Sequence, residues 1–239
     1  MKMARLALAL AAPLLLASCL LTPGKFVSSL DIRKDRSFNF SYAGEVIMLD
    51  PQQQMESSME TPSASGDGEE GEGDDTESEA APAPAAPPAA PPVETAEKRA
   101  ERQAVAEALS KEVGYRSVEY LGNNRFRVDY SMSGRLDRGF VYPINLDAMA
   151  IAPWIAVEVR KDGTARVKAL AFGDPDTAFP GDMGGNKDKP QREGTFTLTT
   201  DASLVMQNNE EGMAPGPGTK VVWKVTPTSK TVPTAVVRF

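Results

Sequence analysis

The sequence predicts an α+β fold with an antiparallel, twisted sheet and one main helix. Short segments in which apolar and polar residues alternate recur along the chain, and this period of two is typical of strands with one buried face. Residues 94–114 instead repeat apolar residues every three or four positions, which is typical of a helix. The chain order is two strands, a helix and then strands again, and this order favours α+β over a regular alternation of strands and helices.

The first two strands are predicted within residues 26–49. Leu30 and Ile32 alternate before a turn. Three aromatic residues alternate after it, namely Phe38, Phe40 and Tyr42. Because an isolated hairpin is only marginally stable in water, this hairpin must pair with other strands of the sheet.

The turn of this hairpin has a counterpart later in the chain. Residues 31–35 (DIRKD) align with residues 158–162 (EVRKD) at one constant offset. In the second copy Asp162-Gly163 is a strong hairpin signal, because glycine accepts the positive φ that the twist of the strands requires. Arg36 takes the glycine's place in the first copy. The two segments are predicted to be hairpins of one design, and the alternative is a chance recurrence of a common turn sequence.

The helix is predicted within residues 94–114. Val105, Leu109 and Val113 fall four residues apart with Ala104 and Ala108 beside them. A glycine at position 114 supplies a stop. This narrow apolar stripe favours packing on a face of the sheet. Further strands are predicted on both sides of a turn at Gly122-Asn123-Asn124, and at residues 155–160, 164–170, 194–200, 220–226 and 231–238.

The interval between the second strand and the helix has a composition of its own. Residues 50–93 hold eleven acidic residues and no lysine or arginine, and they end in a Pro/Ala-rich run. The segment has too few apolar residues for their burial to offset the conformational entropy that ordering would cost. A long disordered acidic and Pro/Ala-rich insertion is therefore predicted, with polyproline II favoured in the Pro/Ala run.

The charge of the chain is concentrated in this insertion. The formal net charge of the whole chain is -7. Setting aside the eleven acidic residues of the insertion, together with Lys2 and Arg5 of the first 18 residues, leaves a net charge of +2. Nucleic-acid binding is therefore not predicted, because it requires clustered basic residues that displace counterions from phosphates.

The first 18 residues have the pattern of a bacterial secretory signal. Lys2 and Arg5 form a cationic start, residues 6–16 are apolar, and Ala17 and Ser18 are small. The apolar stretch is too short to span a bilayer comfortably.

The next residue, Cys19, is the only cysteine in a chain that has no histidine. It therefore has no partner for an internal disulfide or for a usual zinc site. Leu16-Ala17-Ser18-Cys19 resembles the lipobox of bacterial lipoproteins. That resemblance implies cleavage before Cys19, a diacylglyceryl group on its sulfur and acylation of the new amine, with palmitate as an expected acyl chain. The alternative is an ordinary signal that ends in a chance cysteine.

The residues after the cysteine predict the location of the protein. Leu20 and Leu21 follow Cys19, and no aspartate follows it. This pattern resembles that of Gram-negative lipoproteins that are released to the outer membrane. The prediction is a protein of the cell envelope, attached to the membrane through Cys19, on the periplasmic face of the outer membrane where the organism has two membranes.

Neither catalysis, nor a metal, nor a cofactor is predicted. Without histidine, the familiar serine hydrolase triad and most catalytic zinc sites are excluded. The chain also lacks G-x-S-x-G, S-x-x-K and P-loop motifs. Asp137 and Asp147 flank an apolar segment and are the best candidates for a carboxylate pair, but a glycosidase pair is defined by a separation that sequence does not give.

That apolar segment, residues 139–157, favours a functional interpretation. Two prolines bound a stretch that is too irregular for a long strand. If it is exposed, it forms a rim in the lipid headgroup region or the wall of a cavity for an apolar ligand. The alternative is two core strands joined by a tight connection. Contact with lipid or with a partner is predicted for Phe140, Tyr142, Ile144, Met149, Ile151 and Trp154.

The chain also resembles the LppM-type secreted lipoproteins. A lipobox followed directly by a strand, a charged helix and further strands carries this resemblance, together with Thr197-Leu198, the segment Asn208 to Gly212 and Trp223. The resemblance implies an α/β envelope domain able to hold or touch lipids. It supplies no catalytic residue.

The predicted organisation is a lipoprotein signal peptide at 1–18, the anchor and first hairpin at 19–49, the insertion at 50–93 and the remainder of the α+β domain at 94–239. The predicted function is that of a non-catalytic, lipid-anchored envelope lipoprotein that binds an envelope lipid or a protein partner at the membrane surface. The alternatives are a scaffolding lipoprotein that acts through the acidic insertion, and a carboxylate-based envelope hydrolase.

Overall fold

The first hairpin lies at the centre of a six-stranded sheet. The computed structural model describes residues 20–49, 94–143, 153–173, 192–216 and 218–239. The strands of the sheet are β1 (Leu20–Ile32), β2 (Ser37–Leu49), β3 (Tyr115–Gly122), β4 (Arg125–Arg135), β8 (Glu193–Thr200) and β10 (Thr219–Val225). Their spatial order is β10-β8-β1-β2-β4-β3.

A second sheet of five strands packs against the first through a shared core. The sequence predicted one sheet, and the structure divides the strands between two. One helix is too small to cover a six-stranded sheet, so a second sheet buries its apolar face. The strands of the second sheet are β5 (Phe140–Tyr142), β6 (Ile155–Val159), β7 (Thr164–Lys168), β9 (Ser203–Gln207) and β11 (Thr234–Arg238), in the order β5-β6-β7-β11-β9.

The α+β prediction is confirmed, and so is the pairing of the first hairpin with other strands. β2 pairs with β4 antiparallel, whereas β1 pairs with β8 in parallel. Two predicted strand boundaries were wrong. The predicted strand at 164–170 ends at Lys168, and residues Leu170–Phe172 form a 3-10 turn. The predicted strand at 231–238 begins only at Thr234.

Aromatic side chains fill much of the space between the two sheets. Phe26 of β1 stacks on Phe172 with ring centroids 4.2 Å apart. Phe40 of β2 lies 4.8 Å from Tyr142 of β5. Because large aromatic rings bury 150–250 Å² each and favour tilted or offset contacts, these pairs across the core hold the sheets together.

Helix α1 (Ala96–Leu109) packs against β3, at one edge of the six-stranded sheet. Thr95 caps its start, where the side-chain oxygen accepts a hydrogen bond from Lys98 N at 3.3 Å. The predicted apolar stripe was partly wrong, because the buried residues of the helix are Arg102 and Ala106. Val113 lies beyond the helix and is 82% exposed.

The two predicted hairpin turns have one geometry. In the first, Asp35 Oδ1 accepts hydrogen bonds from the Ser37 main-chain N at 2.9 Å and from its hydroxyl at 2.7 Å. In the second, Asp162 Oδ1 accepts the equivalent bonds from Thr164 at 3.0 and 2.6 Å. The internal repeat in the sequence therefore corresponds to a repeated turn.

Candidate functional site

The start of β1 is held by a side chain from the second sheet. The indole N–H of Trp154 donates a hydrogen bond to the main-chain oxygen of Leu21 at 3.1 Å. Trp154 is 1% exposed and directly precedes β6. Cys19, the predicted lipidation residue, lies outside the described residues, and Leu21 follows it by two positions. The chain is therefore fixed to the folded core almost as soon as it leaves the predicted anchor.

Three of the residues predicted to contact lipid or a partner lie in the core. Phe140, Tyr142 and Trp154 are 6%, 2% and 1% exposed. They do not form an exposed rim, because their side chains pack between the two sheets. Tyr142 and Trp154 touch each other, with ring centroids 5.8 Å apart.

The other three residues of that prediction, Ile144, Met149 and Ile151, lie outside the described residues. The described structure does fix where their segment leaves and rejoins the fold. The main-chain N–H of Trp154 donates to the carbonyl of Tyr142 at 2.7 Å, so the two flanking strand ends lie side by side. One of these ends, Trp154, is bonded to Leu21 through its side chain.

The predicted disordered insertion, residues 50–93, also lies outside the described residues. A chain of three hydrogen bonds joins the residues on either side of it. Met48 N donates to the carbonyl of Asn124 at 2.9 Å, and Asn124 N donates to the Tyr120 hydroxyl at 3.2 Å. That hydroxyl donates in turn to the carboxylate of Glu94. The insertion therefore begins and ends beside the turn between β3 and β4.

Four tyrosines of the core have raised pKa values and therefore resist ionisation. Burial raises the pKa of Tyr42 and of Tyr142 well above the usual value of 10.0. Burial, with a smaller effect of Tyr130, raises the pKa of Tyr115 to about 12, and the pKa of Tyr130 is also raised by burial. Phenols in low-dielectric surroundings keep their protons because the phenolate is poorly solvated there.

A cavity of about 240 Å³ lies between the end of β10 and the segments that flank β9 and β11. Its apolar wall includes Phe172, Trp223 and Pro233. The cavity is linked to the residue that holds Leu21 by two main-chain hydrogen bonds. Ala171 N donates to the carbonyl of Trp154 at 3.2 Å, and Ala169 N donates to the carbonyl of Pro233 at 2.9 Å. The cavity is therefore at the same end of the second sheet as Trp154.

Asn208 ties the two sheets together at this cavity. Its Oδ1 accepts from the Trp223 indole at 3.2 Å and from Thr234 N at 2.8 Å. Its Nδ2 donates to the carbonyl of Val232 at 2.8 Å. The neighbouring amide, Asn209 Nδ2, donates to the carbonyl of Val222 at 2.9 Å. Both amides are therefore used to build the wall of the cavity.

Charged side chains of both signs line the same cavity. Glu210, Glu211, Lys224 and Lys230 belong to its wall, and Lys224 Nζ lies 2.9 Å from Glu211 Oε1. Sequence reasoning did not predict this cavity, because its residues come from separate segments. The signal that was available is the run QNNEEG at 207–212, which holds three amides and two acids in succession.

The two carboxylates considered for hydrolysis are not brought together by the described structure. Asp137 pairs with Arg135 at 3.1 Å, and its side chain is 67% exposed. Asp147 lies outside the described residues. Within the described ranges, no group of three or more histidine, cysteine, aspartate or glutamate residues is placed to hold a metal ion. In those same ranges, no helix has the length and apolar character needed to cross a membrane.

Comparison with known proteins found one solved structure of low similarity. No family model matches the chain, and no curated protein matches it. The chain is similar to the NMR structure of the folded domain of Mycobacterium tuberculosis LppM, with a TM-score of 0.32 and 13% sequence identity over 92% of each chain. This similarity is too distant to carry an inference about fold or function.

Proposed function

We propose that this protein is a non-catalytic, lipid-anchored envelope lipoprotein whose domain is held against the membrane and binds a lipid or a protein partner there. The single observation that carries the proposal is the hydrogen bond from Trp154 Nε1 to Leu21 O at 3.1 Å. It supports a design in which an acylated Cys19 positions the domain rather than tethering it loosely.

The distance along the chain makes this positioning tight. An extended residue spans about 3.3 Å, so Cys19 lies within roughly 7 Å of the bonded carbonyl of Leu21. Each buried acyl methylene contributes about 0.8 kcal/mol, and two or three acyl chains hold a protein on a membrane stably. With an anchor so close to the core, the end of the domain that contains Trp154 faces the bilayer.

Residues 144–152 supply a second contact in this proposal. The two ends of this segment lie beside each other, because Trp154 N donates to the carbonyl of Tyr142, and the Trp154 side chain is bonded to Leu21. The sequence of the segment includes Ile144, Met149 and Ile151. Apolar side chains at a membrane-facing end gain free energy by leaving water for the acyl boundary.

The anchor is tested by labelling cells with palmitate. We expect label in the wild-type protein, none in Cys19→Ala, and a processed chain that begins at residue 19. A processed chain that begins elsewhere, or a wild-type protein without label, would overturn the proposal.

The contact of the segment is tested with a photo-crosslinking amino acid at position 149 of the lipidated protein in vesicles. We expect adducts with lipid acyl chains at position 149. The matched control is position 113, because Val113 is also apolar and is 82% exposed but lies after α1. Equal adduct yields at the two positions would contradict a specific contact with the bilayer.

A second candidate function, scaffolding through the acidic insertion, is favoured by the hydrogen-bond chain that links Met48 to Glu94. Ends joined in this way allow the insertion to change without disturbing the sheet. Residues 52–92 can be replaced by a neutral polar sequence of equal length. A scaffold would lose a cationic partner in crosslinked envelope pull-downs, whereas a spacer would retain all its partners.

A further inference from the structure

We propose that the cavity beside Trp223 binds an ammonium-bearing phosphate ester, which is the chemistry of a zwitterionic phospholipid headgroup. This inference rests on the proposed function, because the membrane-facing end of the domain is what brings the cavity to a headgroup. It goes further by naming the ligand class and the residues that select it.

The charges of the cavity wall match a ligand that carries both signs. Lys224 and Glu211 form an ion pair at 2.9 Å. Glu210 and Lys230 also line the cavity, and within the described part of the chain neither of them forms an ion pair. One carboxylate and one ammonium are thus available, and a ligand with an ammonium and a phosphate pairs with both. A polyanion would be repelled by as many carboxylates as there are lysines to attract it.

The aromatic wall favours a cation on one side of the ligand. Trp223 and Phe172 both line the cavity. Trp223 is fixed on two sides, because its ring stacks on Phe196 at 5.5 Å and its N–H is bonded to Asn208. Ammonium groups are attracted to the face of tryptophan, and aromatic pockets recognise quaternary ammonium ligands in this way. Trp223 is 6% exposed, so only a small part of its ring meets the ligand. We place the ligand ammonium at this part, beside Glu210, and its phosphate near Lys230.

The volume of the cavity selects a headgroup over a whole lipid. Pockets for drug-sized ligands run from about 300 to 1,000 Å³, and this cavity has about 240 Å³. The acyl chains of a bound lipid would therefore stay in the bilayer. The amides of Asn208 and Asn209 are occupied by protein partners, so charge rather than amide recognition sets the specificity.

Fluorescence of Trp223 gives a direct test. The chain has two tryptophans, so the Trp223→Phe variant of the full-length lipidated protein measures the signal of Trp154 alone, and the reporter is the wild-type protein. In detergent, we titrate the wild-type protein with glycerophosphoethanolamine, and in parallel with glycerol phosphate and with ethanolamine. We expect a saturable change in emission with the first ligand alone. Glu210→Gln and Lys230→Gln should each weaken binding about tenfold, which corresponds to one charged contact.

The matched control is Lys161→Gln, because Lys161 is an exposed lysine in the turn between β6 and β7, at the other end of the second sheet. Its binding curve should not change. Absence of a saturable response, equal binding of glycerol phosphate alone, or unchanged affinity in both charge variants would each overturn the proposal.

A nanodisc experiment separates a lipid from a soluble ester. The same reporter protein should respond in discs of phosphatidylethanolamine and not in discs of phosphatidylglycerol. Binding of the soluble ester with equal signals in both discs would overturn the assignment to a headgroup. The detergent titration does not depend on the membrane, so failure of palmitate labelling at Cys19 would refute the proposed function separately.

Discussion

Arg36 and Gly163 occupy the same position in two separate hairpin turns, with φ angles of 71° and 77°. In each turn the residue before them is an aspartate that binds the main-chain N–H two residues later. The φ of Arg36 is in the left-handed region that favours glycine. Its guanidinium lies 5.1 Å from the centroid of the Phe239 ring, a cation–π contact that offsets part of this conformational cost.

We expect Gly163→Ala to lower the free energy of unfolding by about 1 kcal/mol, the cost of the left-handed conformation for a residue with a Cβ. No atom lies within 4 Å of a Cβ added there, so the effect is conformational and not steric. Urea denaturation measures the change. Lys161→Ala, in the same turn, is the control, and its stability should stay within about 0.5 kcal/mol of wild type. An unchanged urea midpoint for Gly163→Ala would contradict this conformational cost.

The same turns predict a loss of stability in acid. Hydrogen bonds from Ser37 lower the pKa of Asp35 below its ordinary value of 3.8, and hydrogen bonds from Thr164 lower the pKa of Asp162 in the same way. A lowered pKa in the folded state gives stability that is present above the ordinary value and is lost as the pH falls through the folded value. We expect the stability of the double variant Asp35→Asn/Asp162→Asn to fall less steeply over this range. Identical pH profiles for variant and wild type would show that these carboxylates are not responsible.

Alkali should unfold the protein through its buried tyrosines. Burial raises the pKa of Tyr115 to about 12 and raises the pKa of Tyr42 and of Tyr142 well above 10.0. The tyrosines of the unfolded chain release their protons near the usual value of 10.0. Their contribution to the stability of the fold is therefore fully present below that pH and is lost as the pH rises through their folded-state pKa values. Tyrosinate absorbance should therefore appear together with the loss of tertiary structure. Stepwise titration of all tyrosines in a folded protein would contradict this coupling.

The fold class and the turns could be predicted from the sequence because both depend on local patterns. Alternation marked Leu30, Ile32 and Phe40 as buried, and all three are at 0% exposure. The Asp-Gly pair marked the second turn, and alignment with it located the first. These signals depend on residues that are close in sequence, where strand period and turn chemistry act directly.

The division into two sheets could not be predicted, because alternation shows which residues are buried and not what covers them. The buried face of the helix was missed for a related reason. Arg102 is buried, and its Nε donates to Asn124 Oδ1 at 3.2 Å, a pairing across 22 residues that apolar periodicity does not show. The cavity combines Phe172 with Trp223 and Pro233, which meet only in the folded chain.

The hydrogen bond between Trp154 and Leu21 predicts a local effect of Trp154→Phe. Phenylalanine keeps an aromatic ring in the core and removes the N–H, so the carbonyl of Leu21 loses its donor. We expect a loss of about 1–3 kcal/mol, the cost of leaving a buried polar group unsatisfied. Hydrogen exchange at the start of β1 should also become faster, because this bond fixes the strand to the second sheet.

Trp223→Phe is the matched control for this prediction. It removes an indole N–H that donates to Asn208 at the cavity, so it should lower stability by a similar amount. It should not change exchange at Leu21, because the two tryptophans bond to different parts of the chain. If both variants accelerate exchange at β1 equally, the effect is a global loss of stability. If only Trp154→Phe does so, Trp154 holds the segment that follows Cys19, as the proposed position of the domain on the membrane requires.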